Sequence, residues 1–406
     1  MNAKRLPGDR TRGRMLHGVH NSLVVLFCIG VAGCDDLLTV ENPQDILDEN
    51  LESPEAINAL SAGVAGDFAF AYGRNLLMTG ILSDEIKHTG SQSGLRQPDE
   101  GDGGSAINTW TNNAYNAVAV SSWTGEDLVR RIERVTEGAD SNPHVAHGKI
   151  FAGFSILILA DNYCEVIIDG GPRITPAEAY AEAAIRFTDA LAVATAAGDP
   201  DLVNRALAGR ARARLQMQDY EGARDDARQI PTGFRFLALY SPNSGREENH
   251  LANQMTSSIR REAGVHARYY EHPVLGSDPR IAFTNRGETY VGTDGSTQFV
   301  EQLKFQTTDD DIEVASWQEA RLIEAEAAIH LNDLSGAIAL IDEVRVAAGL
   351  PPYDGPVTAE AVTNTLFHER AAELFLEGQR LLDLRRTNDP WLQDRDSCYQ
   401  IGRAEG

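Results

Sequence analysis

The chain has 406 residues, 42% of them hydrophobic and 24% charged, and a formal net charge of −24. Such a composition supports a substantial buried core and one to three domains. The acidic excess, with no basic cluster outside the first twenty residues, excludes nucleic-acid binding.

The first elements are a targeting segment rather than fold. Lys4, Arg5, Arg10, Arg12 and Arg14 stand against Asp9 alone, an apolar run follows from Leu23 to Ala32, and small residues precede Cys34. A basic n-region and a short apolar h-region make a secretory signal. The run is shorter than the roughly 20 residues a bilayer span needs. No later window reaches that length, so the rest of the chain is expected to be soluble. Val31-Ala32-Gly33-Cys34 resembles the bacterial lipobox, in which the cysteine is acylated and becomes the new N-terminus. The expected organisation is a lipoprotein signal peptide over 1–33, lipidation at Cys34 and one domain over 34–406. Each acyl CH₂ buried in a bilayer contributes about 0.8 kcal/mol. Cys28 leaves with the signal. Cys164 and Cys398 remain in an oxidising, exported compartment, either as a disulfide or as two separately buried thiols.

Most of the body is predicted helical. "SPEAINALSAGVAGDFAFAY" starts with Ser53 as N-cap and Pro54 at the first helical position. Residues 86–108 are rich in Gly, Ser, Asp and Asn and are expected to be a binding loop, as are 231–263 and 272–300. "TPAEAYAEAAIRFTDALAVATAAG" opens with a Thr175–Glu178 capping box and stops at Gly198. "SWQEARLIEAEAAIHL" repeats the device at Ser316 and Glu319, and "LSGAIALIDEVRVAAGLPP" ends at Gly349. Two helical pairs look alike: Ala211 and Ala223 flank Asp219-Tyr220, and Ala325 and Ala337 flank Asp333-Leu334. Small residues twelve apart around a tight turn resemble the tetratricopeptide repeat. A short hairpin is expected about Asp294-Gly295.

A search for chemistry returns little. There is no G-x-S-x-G elbow, Walker loop or H-E-x-x-H. His144 and His147 lack a nearby third metal ligand and are assigned a surface or capping role. Asp309-Asp310-Asp311 lacks the alternation and the glycine of a calcium loop and is expected to be a solvated lead-in to the helix at Ser316. Neither a metal nor a cofactor is expected, and no carboxylate pair is singled out for catalysis. The densest pattern is "LFHERAAELFLEGQRLLDLRR" at 366–386. Its Glu369, Glu373 and Glu377 would repel one another unless paired, so their arginine neighbours are expected to fix the turn near Gly378.

Four segments together resemble the SusD/RagB family of nutrient-binding outer-membrane lipoproteins: "CDDLLTVENP" from Cys34, "SDPRIAF" at 277–283, "EARLIEAEAAIHLNDLSGAIALIDEVRVAAGL" at 319–350, and "HERAAELFLEGQRLLDLRR" at 368–386. The last is the most specific, an E-R-x-x-E-L-x-x-E-G-x-R-x-x-D-L-x-R pattern. "ADNYCEVIIDGG" stands where the family often has an aromatic-Gly-Asp-Val-Pro turn, and the chain stops at "CYQIGRAEG" where relatives run on. The resemblance implies a mainly α, SusD-like scaffold of tetratricopeptide-like helical pairs with long irregular loops and minor β-hairpins. It implies a non-enzymatic, lipid-anchored outer-membrane protein facing the cell exterior, which hands a nutrient, first of all an oligosaccharide, to a TonB-dependent SusC-like barrel. Asp35-Asp36 resembles an acidic surface-export signal, although in other bacteria Asp after the lipidated Cys retains a lipoprotein at the inner membrane. The alternatives are a repeat scaffold that binds only protein partners and a surface glycoside hydrolase with an unmarked acid pair. Sugar rings stack on aromatic faces while amides, carboxylates and guanidinium groups hold hydroxyls. Tyr72, Asn75, Asp84, Arg96, Trp123 and Tyr290, in or beside expected loops, are therefore the ligand-binding candidates. Trp110 and Tyr115 are assigned to packing at a helix start, and Trp317 to the core.

Overall fold

The apolar run that follows Pro54 passes straight through Gly73 and Gly80. In the computed structural model, which describes residues 51–103 and 108–401, helix α1 spans Ile57–Leu82. Both glycines are needed for close approach. A Cβ on Gly80 would come within 2.5 Å of Ile86 Cδ1, and one on Gly73 within 3.1 Å of the Tyr240 hydroxyl. The local cost of a glycine inside a helix, about 1 kcal/mol, is offset by the packing it permits. The signal segment, Cys34 and Asp35-Asp36 lie outside the described residues.

The chain continues through β1 (Ile86–His88), α2 (Ser93–Asp99), α3 (Thr109–Val135) and α4 (Pro143–Asn162). After a small hairpin of β2 (Val166–Ile167) and β3 (Arg173–Ile174) come α5 (Pro176–Ala197), α6 (Pro200–Gln216) and α7 (Tyr220–Ala227). α1 packs on α3, and each of α3, α4, α5 and α6 packs on the next. The expected Thr175–Glu178 capping box is formed, and Gly198 ends α5 in the left-handed region. α4 is apolar enough and long enough to cross a membrane, which corrects the expectation that no later window is. Its residues, from Val145 to Asn162, are buried almost throughout against α1, α3 and α5, so its apolar surface is used in packing.

β4 (Arg235–Ala238), α8 (His250–Met255), β5 (Ala263–Val265), α9 (Ala267–Tyr270), β6 (Phe283–Asn285) and β7 (Val300–Gln302) break up the stretches expected to be irregular. All strand pairs are short and antiparallel: β1 with β5, β6 with β7, and β4 with β8 (Ile312–Ser316). The Asp294-Gly295 turn is present, with the Asp294 carboxylate accepting from the Ser296 and Thr297 amides. The Asp309–Asp311 run leads into β8 rather than directly into a helix. Asp310 accepts from the Thr307 amide within the turn, and Asp311 from the Tyr240 amide just past β4.

α10 (Trp317–His330), α11 (Leu334–Ala347), α12 (Ala359–Glu373) and α13 (Arg380–Arg386) complete the chain. The α6–α7 and α10–α11 pairs are superimposable in their logic. Gln218 and Asn332 take left-handed conformations, and Asp219 and Asp333 cap the next helix through the amides of Gly222 and Gly336. Ala211, Ala223, Ala325 and Ala337 are all fully buried, so each helix lies directly on its partner.

The two helical pairs are bolted to the rest by buried ions. Arg212 on α6 forms a two-pronged pair with Glu319 on α10, at 2.8 and 2.7 Å. The predicted repulsion among Glu369, Glu373 and Glu377 is relieved from outside the helix. Arg280 bridges Glu369 and Glu373 at 2.7 and 3.2 Å, and Lys304 holds Glu377 at 2.5 Å. Asp278, two residues earlier, aligns Arg280, so the "SDPRIAF" segment and the C-terminal pattern are two halves of one contact. Arg370 and Asp383, each about 1% exposed, pair at 2.9 Å.

Burial dominates two of these carboxyls. It pushes Glu377 up to about 8 and Glu85, whose side chain accepts from the Leu376 amide, up to about 7. The unfolded chain releases those protons near the ordinary 4.5. Above that pH the native state therefore binds more protons than the unfolded state, and stability falls as pH rises through the folded values. Buried His147, His250 and His266 are pushed down to about 4, 3 and 4, so the unfolded chain gains protons below 6.5 and stability also falls on that side. Thermal unfolding should peak near pH 6.5 and lose on the order of 1–3 kcal/mol by pH 8. A flat profile from 6.5 to 8 would contradict this. Glu377→Gln should flatten that limb.

Candidate functional site

Three of the six sequence-based candidates are core residues, because α1 runs ten residues past Tyr72. The Tyr72 hydroxyl is buried and donates to the backbone carbonyls of Glu313 and Glu377 at 2.9 and 3.2 Å. The Asn75 amide donates to the Ala71 and Ala114 carbonyls and accepts from the Tyr163 hydroxyl. Asp84 is fully buried between Arg380, at 2.6 and 2.8 Å, and Arg268, at 3.1 Å. None of the three presents a group to a ligand, which corrects those assignments. The other three reach the surface. Arg96 is exposed on α2 and Trp123 on α3, where the Arg130 guanidinium lies 5.9 Å from its ring. Tyr290 is half-buried, with Arg261 and Arg286 at 5.3 and 4.7 Å from its ring. His147 is no surface residue: its Nε2 meets the Ser61 carbonyl at 3.1 Å and its ring packs on Phe151.

The segment leading into α2 and the loop that carries Tyr290 converge on one carboxylate. Glu262 accepts from the Ser91 amide at 3.2 Å and from the Thr293 hydroxyl at 2.8 Å, while the Thr89 carbonyl accepts from the Asp294 amide at 3.1 Å. Segments 88–93, 261–265 and 290–297 are thereby held as one unit. Beside it, α2 and the start of α3 enclose an open cleft of about 430 Å³, lined by Gln92, Ser93, Gly94, Gln97, Asn108 and Trp110 among others.

Asn108 builds this cleft. Its carbonyl oxygen caps α3 by accepting from the Trp110 amide at 2.9 Å. Its Nδ2 donates to the Gly94 carbonyl at 2.8 Å and to Gln97 Oε1 at 2.9 Å. That ties α2 to α3 and sets the indole of Trp110 against Gly94, where a Cβ would come within 2.5 Å of Trp110 Cδ1. Gln92 Oε1 is buried at the cleft with no hydrogen-bond partner, an acceptor waiting for a donor. No lining residue titrates near neutral pH. The arrangement can stack an apolar ring face on an indole and exchange hydrogen bonds with hydroxyls. It holds no acid–base pair.

Trp110 is the residue sequence reasoning missed. It does occupy a helix start, as assigned, and the same position opens onto the cleft. A larger cavity, about 680 Å³, lies between α1 and β4, lined mostly by apolar groups such as Ala65, Ala69, Phe151, Phe236 and Leu239. Its arginines are taken: Arg205 by Asp201, Arg235 by Glu313 and Arg246 by Asp67. Among the described residues no group of three His, Cys, Asp or Glu side chains is placed to hold a metal ion.

Comparison with known proteins agrees with this architecture. Residues 299–399, which contain the buried-ion pattern, match the model of the SusD family. The fold is shared with a SusD superfamily protein from Bacteroides vulgatus ATCC 8482, at 16% identity and a TM-score of 0.63, over 82% of this chain and 88% of that one. A SusD-like carbohydrate binding protein from the same organism matches at 17% identity and a TM-score of 0.63, over 82% and 83%. A laminarin binding SusD-like protein matches at 16% identity and a TM-score of 0.62, over 85% and 96%. No curated protein matches the sequence. The SusD/RagB resemblance and the mainly helical SusD-like scaffold are thus borne out.

Proposed function

We propose that this chain is a cell-surface lipoprotein, tethered through Cys34, that captures an oligosaccharide on the Trp110 cleft and delivers it to a TonB-dependent SusC-like barrel. The observation that carries the reading is the uncharged cleft itself: one indole face, a ring of amides and hydroxyls, and an unsatisfied buried acceptor at Gln92. Sugars match that lining, since a pyranose has an apolar face and a hydroxyl rim. The shared fold with a laminarin binding SusD-like protein supports the same ligand class. In this reading Arg96 on α2 and Tyr290 on the adjoining loop extend the contact, and Trp123 stands as a separate exposed aromatic.

The direct test is a glycan array followed by calorimetry on the purified protein. Trp110→Ala should weaken the selected glycan at least tenfold, about 1.4 kcal/mol, at a temperature where circular dichroism shows the variant still folded. Unchanged affinity in that variant would remove the cleft from consideration. Incubation with the bound glycan should return it intact. In the native host, Cys34→Ala should release the protein from the membrane fraction, and the wild-type chain should co-purify with a large β-barrel.

A further inference from the structure

The Trp110 cleft does not end at Trp110. Along α3, Trp110, Asn113, Asn116, Ala117 and Val120 recur at helical spacing on one face. The last four line a second cavity, about 310 Å³, closed on its other side by Asp67, Phe70 and Arg74 of α1 and by Arg246. At 1.5 Å per residue, Trp110 and Val120 are about 15 Å apart along the axis, a length that a short oligosaccharide spans. His250, whose ring lies 6.1 Å from the indole and whose Cβ packs near Gly73, sits between α1 and the start of α3.

The second cavity differs from the first in charge. Two guanidinium groups stack on the Phe70 ring, Arg74 at 4.3 Å and Arg246 at 4.6 Å from its centroid. Arg246 is neutralised by Asp67. Among the described residues Arg74 has no carboxylate partner, and its Nε is buried without a hydrogen bond. Arg205, Arg235 and Arg246, which line the adjoining apolar cavity, each hold an acid. The cavity therefore keeps one uncompensated positive charge, flanked by the exposed amides of Asn113 and Asn116, in a chain that is strongly acidic overall. A guanidinium fork fits a planar carboxylate in two-pronged fashion. Burial and the neighbouring Arg246 act together to destabilise the unpaired cation, so an arriving anion relieves an existing cost.

We infer that this cavity is a binding subsite for the carboxylate of a uronic acid unit, and that the glycan captured at Trp110 is an acidic one whose charged residue reaches Arg74. The inference rests on the glycan-binding reading above and adds the substrate class. Its test is calorimetry of the full chain with a panel of galacturonate, glucuronate and mannuronate oligosaccharides, set against neutral laminari-oligosaccharides, for wild type, Arg74→Gln, Arg74→Lys and Trp110→Ala. At least one uronate oligomer should bind tenfold tighter than any neutral one, with affinity falling as salt rises. Arg74→Gln should weaken that oligomer tenfold or more and change neutral binding less than twofold, and Arg74→Lys should recover part of the loss. Should Arg74→Gln fail to fold, the double variant N113A/N116A, at exposed positions, should weaken the same oligomer selectively. Neutral glycans bound through Trp110, with no uronate preference or no effect of Arg74, would overturn the subsite and leave the cleft standing. Uronate binding that needs Arg74 but not Trp110 would uphold the subsite and overturn the cleft.

Discussion

Arg370→Ala should cost about 3–5 kcal/mol and lower the urea midpoint accordingly. The guanidinium is about 1% exposed and its Nε lies 3.1 and 2.9 Å from the two carboxylate oxygens of Asp383, itself buried. Removing the cation leaves Asp383 with Arg386 alone, at 2.6 Å from one oxygen. It also opens a cavity at one of the largest fully buried side chains of the molecule. The double variant R370M/D383L separates the two causes. If the loss comes from an unpaired buried charge, the double variant should recover much of it, since apolar replacement of both partners is often neutral. A double variant no more stable than Arg370→Ala would assign the whole effect to packing. Less than 1 kcal/mol for Arg370→Ala would show that the pair is dispensable.

The second large effect should come from Cys164→Ser or Cys398→Ser. The two cysteines form a disulfide with Cα atoms 5.2 Å apart, and it closes a sequence separation of 234 residues. In the chain-entropy description a loop of that size stabilises by about 5 kcal/mol, an upper figure because native strain and residual denatured structure reduce it. The bridge is also the clasp of a local assembly. The Tyr399 amide donates to the Asn162 carbonyl at 2.8 Å, the Cys164 amide to the Tyr399 carbonyl at 3.0 Å, and the Tyr399 hydroxyl to the Met78 carbonyl at 2.7 Å. Unfolding in denaturant with and without reductant should separate by several kcal/mol, and limited proteolysis of the reduced protein should begin in residues 395–401. Coincident curves would show that the tail holds itself by these hydrogen bonds.

How much was legible depended on whether a feature is local. The Thr175–Glu178 cap, the Gly198 stop and the twin Asp219 and Asp333 turns are written in adjacent residues, and the structure repeats them. The pairing of Glu369, Glu373 and Glu377 was legible as a need, because stacked acids demand partners. Two of the partners, Arg280 and Lys304, come from elsewhere in the sequence. Tyr72 and Asn75 were misplaced because the helix runs on through Gly73 and Gly80, where close contact with Tyr240 and Ile86 suits glycine, and Asp84 because its partners Arg268 and Arg380 are remote in sequence. The cleft was hidden for a related reason. Gly94 and Trp110 lie on separate helices, joined by the side chain of Asn108. No spacing rule for one helix or one loop brings them together.

The tie between Asp84 and Arg380, and that between Glu85 and the Leu376 amide, have a bearing on biosynthesis. Just past the first long helix, Asp84 and Glu85 meet Arg380 and the Leu376 amide from almost three hundred positions later, while Arg268 reaches Asp84 from the middle of the chain. A growing polypeptide that has emerged as far as α11 already holds Arg268 for Asp84 but lacks Arg380 and the Leu376 amide that complete the corner. The contacts that close this corner are therefore made last, once α12 and α13 have left the ribosome.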